Sequence, residues 1–364
     1  MGNNVKIFRP APRDLWQKVI FPQSGALLSH TPLWLDTICA VDGWADASRL
    51  YMWPSGQYLV LPMVGKRLGG LATIEDSFPP GWGFGGVIGS AKITAQELAV
   101  VIADLASSRS SLRLHICPSC LQGDVWSQVV QPSSWRTVIR QRNAHVIDLE
   151  GGPNAVWKRF SQNAKRNIRK AEKQNLEVEC DTSGRLLGVV EELWLLSTQR
   201  WAAQSGKPVW LTRRRGRRYN PESRWPQIAK RTDGGVAIWL ARSRGEPAAA
   251  VVILRGPNDH YTRGAMRKEL AAPTRANALL QWLAIQDACK RGARWYQMGQ
   301  SGFGGDPVGV FKESFGAQAY AFPEFHLERL PITYLTDVAR GSAKHLIAMV
   351  RGAMQPLRGL MYRY

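Results

Sequence analysis

Hydrophobic positions along this chain change period several times, and each change marks an element. Residues 34–40 read as a helix behind the start signal Thr31-Pro32, and residues 57–64 read as a strand. Residues 94–105 predict an amphipathic helix, with Thr94 and Glu97 spaced as a capping box, and residues 112–116 a short strand after it. Between these lies Phe78-Pro79-Pro80-Gly81-Trp82-Gly83-Phe84-Gly85-Gly86, whose prolines and glycines exclude regular helix. Such a segment serves either as a turn-rich connection or as backbone that approaches a ligand closely.

Over residues 156–175 the apolar positions Trp157, Phe160, Ala164, Ile168 and Ala171 recur every three or four residues, which predicts one helix with one buried stripe. A second αβ unit follows. It comprises a helix at 186–203, strands at 236–241, 248–254 and 260–266, a helix from about 274 to 291 and a strand at 294–298. Three successive strands followed by helix and strand predict an antiparallel sheet that turns parallel where the helix crosses over. Strands splay at such a switch and leave a crevice beside a helix N-terminus, a natural ligand position. The unit ends in a short helix in which Asp306 is the expected cap, Pro307 the first residue and Gly316 the left-handed close. Phe311 and Phe315 share one of its faces, with Lys312 beside them. In residues 330–364, Leu346, Ile347, Val350, Met354 and Leu357 alternate with Arg340, Lys344, Arg351 and Arg358, the pattern of a basic amphipathic helical tail. It is expected to pack on the preceding domain, with contact to a membrane surface as the alternative.

Composition narrows the class. The pattern is that of an α/β (α+β) chain, and 364 residues suit two domains. Hydrophobic residues at 45% exclude a disordered chain, and a formal charge of +20 predicts attraction to phosphates on RNA, a nucleotide sugar, a coenzyme or lipid. Five cysteines make no disulfide framework, residues 1–6 lack the apolar run of a signal peptide, and no stretch nears roughly 18 uninterrupted apolar residues. Lys6 stands where myristoylation of Gly2 calls for Ser or Thr. The expected location is cytoplasmic, with the inner face of the membrane as a peripheral alternative.

The candidate chemistry is cationic. Helix 156–175 carries Lys158, Arg159, Lys165, Arg166, Arg169, Lys170 and Lys173 against a single Glu172. Like charges at four-residue spacing repel, so this face reads as an anion-docking surface. Lys312, alone in an apolar setting, reads as a polarising cation, and the pair of features points to group transfer onto or from a phosphorylated molecule. A further run, 207–225, interleaves Lys207, Arg213, Arg214, Arg215, Arg217, Arg218 and Arg224 with Trp210, Tyr219 and Trp225. Arginines with aromatics grip phosphates and stack bases, as at the acceptor end of a tRNA; a disordered basic loop is the plain alternative. Cys117 and Cys120 have zinc or redox spacing but no second pair, and His115, His145 and His260 are scattered, so no metal is expected. Neither a Gly-x-Ser-x-Gly elbow nor a Walker loop is present.

Five segments in fixed order resemble the FemABX-like branch of the GNAT-fold N-acyltransferases. They are residues 163–171, Asn-Ala-Lys-Arg-Asn-Ile-Arg-Lys-Ala; 261–265, Tyr-Thr-Arg-Gly-Ala; 277–282, Asn-Ala-Leu-Leu-Gln-Trp; 292–299, Gly-Ala-Arg-Trp-Tyr-Gln-Met-Gly; and Phe311-Lys312. The resemblance covers about residues 150–325, and the first 150 match only through 79–86 and general layout. It implies two GNAT-like domains, each a mixed, mostly antiparallel sheet flanked by helices, with a channel between them. The expected divisions are an N-terminal domain at 1–150, a basic connecting helix and strand at 151–180, a catalytic domain at 181–329 and the tail at 330–364.

The resemblance further implies amide formation, by transfer of an acyl or aminoacyl group from a tRNA ester or a thioester to an amine, with no bound cofactor beyond that donor. Lys312, with Phe311, inherits contact with the reacting carbonyl. Arg166 inherits a phosphate role that Lys165 and Arg169 share. Tyr261 and Arg263 become substrate contacts where their strand opens onto the channel, and Arg275 and Asn277 do so at the start of the crossover helix. Arg213, Arg214, Arg215, Arg217, Arg218 and Trp225 are the expected tRNA contacts. Two departures stand out. Ile38 occupies the place where peptidoglycan-bridge members tend to carry a phosphate-binding lysine, and residues 272–277 replace the glycine-rich turn that holds the coenzyme A pyrophosphate in ordinary members. The general base is open among Asp259, His260, Glu313 and the substrate. Three functions are carried forward: an aminoacyl-tRNA-dependent transferase acting on a small molecule or envelope precursor, an acyl-CoA-dependent transferase acting on an amino sugar or polysaccharide precursor, and a non-catalytic RNA- or membrane-binding protein.

Overall fold

In the computed structural model, the residues described are 5–21, 25–69, 72–79, 81–129, 135–206, 208–219, 224–331, 333, 335, 336 and 338. The predicted tail helix beyond residue 338 lies outside them.

Helix Pro32–Asp42 begins where the Thr31 hydroxyl accepts a hydrogen bond from Trp34 N at 3.2 Å and ends at Gly43 in the left-handed region, φ 63°. Helix Ala95–Ser107 opens on the reciprocal Thr94 and Glu97 bonds that the spacing predicts. The expected strand at 57–64 is instead two strands, Tyr58–Leu61 and Val64–Leu68, in different sheets. Pro62 stands between them and has no N–H to continue a ladder.

The single helix expected at 156–175 is also two, Gly152–Arg159 and Gln162–Glu172. Phe160 is extended, with ψ 143°, and the Ser161 hydroxyl caps the second helix by accepting from Ala164 N at 3.1 Å. Both helices still bury one stripe, through Val156, Phe160, Ala164, Ile168 and Ala171. The crossover helix, expected from about 274 to 291, is the single helix Ala276–Lys290; a short helix Lys268–Thr274 precedes it, joined through Arg275, whose φ is 59°.

Among the described residues, eleven strands form one mixed sheet. Its order is Leu176–Asp181, Val236–Ser243, Glu246–Leu254, Asp259–Met266, Trp295–Ser301, Arg136–Asp148, Gln318–Glu328, Ser111–Ile116, Ala72–Ser77, Val64–Leu68 and Ala45–Asp46. The second-half strands are antiparallel until Asp259–Met266 pairs in parallel with Trp295–Ser301 across helix Ala276–Lys290, as the element order predicts. The middle of the sheet is a crossing. Arg136–Asp148 pairs with Trp295–Ser301 on one side and along the whole of Gln318–Glu328 on the other, and Gln318–Glu328 pairs in turn with Ser111–Ile116. A separate four-stranded sheet contains Arg49–Met52 and Tyr58–Leu61.

Apolar side chains on the two faces of the second-half strands build different cores. Ile238, Leu240, Val252 and Leu254 pack with Trp34, Leu35, Ile38, Trp82 and Ile228, tying the first half to helix Arg224–Thr232. Ala237, Ala249, Val251 and Ile253 pack with the two basic helices and with Leu280 and Ile285 of the crossover helix. Full burial of such Leu and Ile side chains contributes roughly 1.5–3 kcal/mol each, which fixes helix Gln162–Glu172 on the face opposite Trp34 and Trp82.

Candidate active site

A cavity of about 1110 Å³ opens where the parallel switch meets the first half of the chain. One end is walled by Lys312, Tyr261, His260, Met298 and Gly299; the other by Asp76, His115, Arg140, Arg142, Glu324 and His326; Trp82, Phe84 and Arg224 lie along the side. The glycine-rich segment belongs to this wall. Its bulky residues Phe78, Trp82 and Phe84 are buried, while Trp34 Nε1 donates to Trp82 O at 2.9 Å and Ser29 Oγ to Phe84 O at 2.6 Å. A Cβ at Gly85 would come within 1.6 Å of Ser77 O, so only glycine fits there.

Lys312 sits on helix Pro307–Ser314, with Pro307 in the first turn and Gly316 left-handed beyond the end at φ 72°. Asp306 does not cap this helix with its side chain, which instead accepts from Gly302 N at 3.1 Å. The lysine is 3% exposed, and its ammonium donates to Gly299 O at 3.0 Å and Gln300 O at 2.7 Å. An ammonium has three donors, so two fix its position and one is left for the cavity. Burial lowers its pKa to about 8 despite the nearby Asp306 carboxylate. Beside it, His260 is held neutral, its pKa pushed down to about 3 by burial and then by the Lys312 charge, and its Nδ1 has no partner. Burial raises the Tyr261 phenol to about 12.

The far end is an alternating chain of charges. His115 donates from Nδ1 to Asp76 at 2.7 Å and from Nε2 to Glu324 at 2.8 Å. Arg142 grips the other Glu324 oxygen through Nε at 2.6 Å and Nη2 at 2.5 Å, and Arg113 lies 3.5 Å from Asp76. Burial alone would depress His115, but the two carboxylates outweigh it and raise its pKa to about 9. Burial likewise disfavours a charged Glu324, yet His115 and Arg142 bring it down to about 2. His326 stacks on His115 with centroids 4.6 Å apart and planes at 14°. Burial and then the His115 charge hold it neutral, near 3. His115, Glu324 and His326 offer ligand-type atoms within 4.8 Å of one another. Parallel rings, however, aim their lone pairs in parallel planes, and both His115 nitrogens are already engaged, so the trio does not converge on one ion as it stands.

Comparison with known proteins bears on the fold and on residues 158–312. The solved structure of FemX matches with a TM-score of 0.58 at 13% identity, over 88% of this chain and 96% of that one. A conserved protein of unknown function from Bacteroides thetaiotaomicron VPI-5482 matches with a TM-score of 0.52 at 9% identity, over 90% of this chain and all of the other (100%). Both likenesses show a shared fold. The family described as an acetyltransferase (GNAT) domain matches residues 158–312, from the basic helices to Lys312. Over residues 158–312 the chain is similar to the GNAT acetyltransferase family, and it shares the fold of FemX. No curated protein matches it in sequence.

The fold brings together some of the sequence-predicted residues and separates others. Lys312 and Tyr261 line the cavity, while Phe311 stands beside it in a cluster of aromatic rings, 5.1 Å from Phe315. Arg166, Lys165 and Arg169 do not line it, because their helix packs on the opposite face of the sheet. Arg166 is exposed and bonds Asn163, Lys165 donates to Lys158 O, and Arg169 lies over Trp157. Arg263 turns to Glu191 at 3.4 Å, beside a second cavity of about 240 Å³. Arg275 is exposed and Asn277 donates to Met266 Sδ, both away from the main cavity.

In the predicted tRNA-binding run, residues 209–219 form a helix rather than a loop. Arg214 is exposed and Arg213 half-buried, whereas the side chains of Arg215, Arg217 and Arg218 lie outside the described residues. Trp225 is 7% exposed and lines the cavity, so it is no surface platform for a base. Asp259 turns to Arg291, and Glu313 pairs with His145 at 3.2 Å. Sequence reasoning passed over Asp76, Arg140, Arg142, Glu324 and His326, and treated His115 and His260 as scattered although one cavity holds both. The signal was present in two strands: Arg140 and Arg142 alternate on one face, and Glu324 and His326 alternate with buried Phe325 and Leu327.

Proposed function

We propose that this acyltransferase moves an aminoacyl group from an aminoacyl-tRNA onto an amine of a small molecule or cell-envelope precursor, with the amide forming at Lys312. The observation that carries the proposal is the buried ammonium pinned by Gly299 and Gln300, with one donor free at the cavity wall. The amine attacks the ester carbonyl, and its oxygen becomes an oxyanion within reach of that donor. A fixed cation there stabilises the transition state more than the ground state. Collapse breaks the C–O ester bond, the proton lost by the amine nitrogen passes to the departing ribose oxygen, and the tRNA hydroxyl and the amide are the products. With a pKa near 3, His260 is too weak a base to take the amine proton and serves as a neutral hydrogen-bonding neighbour.

A tRNA donor is supported by the charge of +20 and by the basic helices on the outer surface, which attract a polyanion. An acyl-CoA donor is the second reading, favoured by the acetyltransferase description of the matching family. To separate them, the protein is incubated with a mixture of charged tRNAs and, separately, with acyl-CoAs, each with a panel of amines. Consumption of the ester supports the proposal, and consumption of the thioester supports the second reading. If neither donor is consumed with any amine, the chain is a binding protein on an acyltransferase fold.

A further inference from the structure

The two carbonyls that hold Lys312 lie where their strand is irregular. Gln297 pairs with Val146 and Gln300 with Ala144, so Met298 and Gly299 together face the single residue His145. This is a β-bulge, with Gly299 left-handed at φ 75°. A bulge disrupts the ladder locally, and here the Gly299 and Gln300 carbonyls accept from the ammonium.

His145, opposite the bulge, is fully buried and lies outside the cavity wall. Its two ring nitrogens reach in different directions. Nδ1 is 3.3 Å from the hydroxyl of Ser301, the residue after Gln300 in the strand. Nε2 is 3.2 Å from Oε1 of Glu313, the residue after Lys312 in the helix. A carboxylate only accepts, so Nε2 donates there and Nδ1 is left for the hydroxyl. The helix backbone is close as well: a Cβ at Gly309 would lie 3.3 Å from Ser301 Oγ and 3.4 Å from His145 Cε1.

Helix Pro307–Ser314 spans about two turns and has no side-chain cap, too little to hold an orientation by itself. Phe311 and Phe315 pin one side of it in the aromatic cluster with Phe160. Successive helical residues are about 100° apart, so Glu313 lies roughly opposite Phe311, with Lys312 between them. Holding both sides fixes rotation about the helix axis, the motion that would swing the ammonium off its carbonyls. The Glu313 side chain is 53% exposed, so its bond to His145 matters for geometry more than for charge.

We infer that His145 is a positioning residue for Lys312: its ring bridges the strand that supplies the two carbonyls and the helix that carries the ammonium, and so sets where the remaining donor points. The kinetic consequence rests on the proposed reaction at Lys312; the bridge itself does not.

Single-turnover amide formation from the mixture of charged tRNAs, or from acyl-CoA if the thioester is the donor consumed, tests this. His145→Leu cuts both arms of the bridge, and Glu313→Ala cuts the helix arm at an exposed position, which decides the matter should the first variant fail to fold. Each slows the reaction about tenfold or more at saturating donor, with the half-saturating donor concentration within about twofold of wild type. Glu313→Gln keeps an accepting oxygen and recovers about a third or more of the wild-type rate. On a Lys312→Met background, Glu313→Ala slows the residual reaction by less than about twofold, because both changes act through one ammonium. The inference is overturned if Glu313→Ala leaves the rate unchanged, if it slows Lys312→Met as much as wild type, or if Glu313→Gln is as slow as Glu313→Ala. Should wild type form no amide from any donor, the reaction is rejected and hydrogen exchange decides on the bridge alone. Amides 307–314 then exchange about fivefold or more faster in Glu313→Ala than in wild type, and equal rates overturn the inference.

Discussion

His115 illustrates how single residues in this protein carry a pH signature. Its folded pKa, about 9, lies above the ordinary value of 6.5, so the folded state holds its proton more tightly than the unfolded chain. The stability it contributes is complete below pH 6.5 and is lost as pH rises through about 9. The neutral imidazoles of His30, His260 and His326, held at about 4, 3 and 3, act in the opposite sense and cost stability as pH falls below 6.5. Thermal melts across pH 5–10 are therefore expected to peak near pH 6.5, and His115→Gln to flatten the alkaline limb; an unchanged limb contradicts the network. Lys312 gives a kinetic counterpart. With its pKa lowered to about 8, the ammonium is lost as pH rises through that value, so amide formation falls on the alkaline side, as a rate profile checks. Lys312 is legible in the sequence because Pro307, Phe311, Phe315 and Gly316 mark its helix. The far cluster is not, since its hydrogen bonds join residues 39 and 209 positions apart, and no local pattern records such a meeting.

At the scale of elements, spacing locates structure well and breaks in it poorly. The apolar stripe from Trp157 to Ala171 keeps a helical period straight through the interruption at Phe160 and Ser161, so the period alone predicts one helix where there are two. The informative residue was Ser161, a good cap lying inside an apparent helix. Ser161→Ala is expected to destabilise the protein by about 1 kcal/mol, seen as a lower denaturation midpoint with an unchanged slope. No shift in midpoint contradicts the capping role. The crossover helix Ala276–Lys290 lies within its expected range of about 274–291, but the short helix Lys268–Thr274 before it is joined through Arg275 in a left-handed conformation that an arginine gives no sign of adopting. The alternation of strands with a crossover helix, by contrast, was sufficient to predict the switch from antiparallel to parallel pairing at Asp259–Met266. The basic face of Gln162–Glu172 is exposed, opposite the predicted buried stripe, but which face of the sheet its helix covers depends on packing against Leu280 and Ile285, remote in sequence.

For the whole molecule, the crossing at the centre of the sheet decides how the halves behave. Strand Arg136–Asp148 is bonded on one edge to Trp295–Ser301 and on the other to Gln318–Glu328, which continues into the first-half strands. Neither half can separate without breaking long ladders. One calorimetric unfolding transition is expected for the full chain, and two resolved transitions contradict this coupling. The same continuity makes one cavity from both halves, with Lys312 at one end and His326 at the other. The central claim, that the ammonium of Lys312 stabilises the oxyanion, is tested most directly by the single-turnover rate of amide formation with saturating donor in wild type and Lys312→Met, which keeps an unbranched side chain one atom shorter and without the charge. The account predicts a fall of about 10²–10³-fold with donor affinity within twofold of wild type, and an undiminished rate contradicts it.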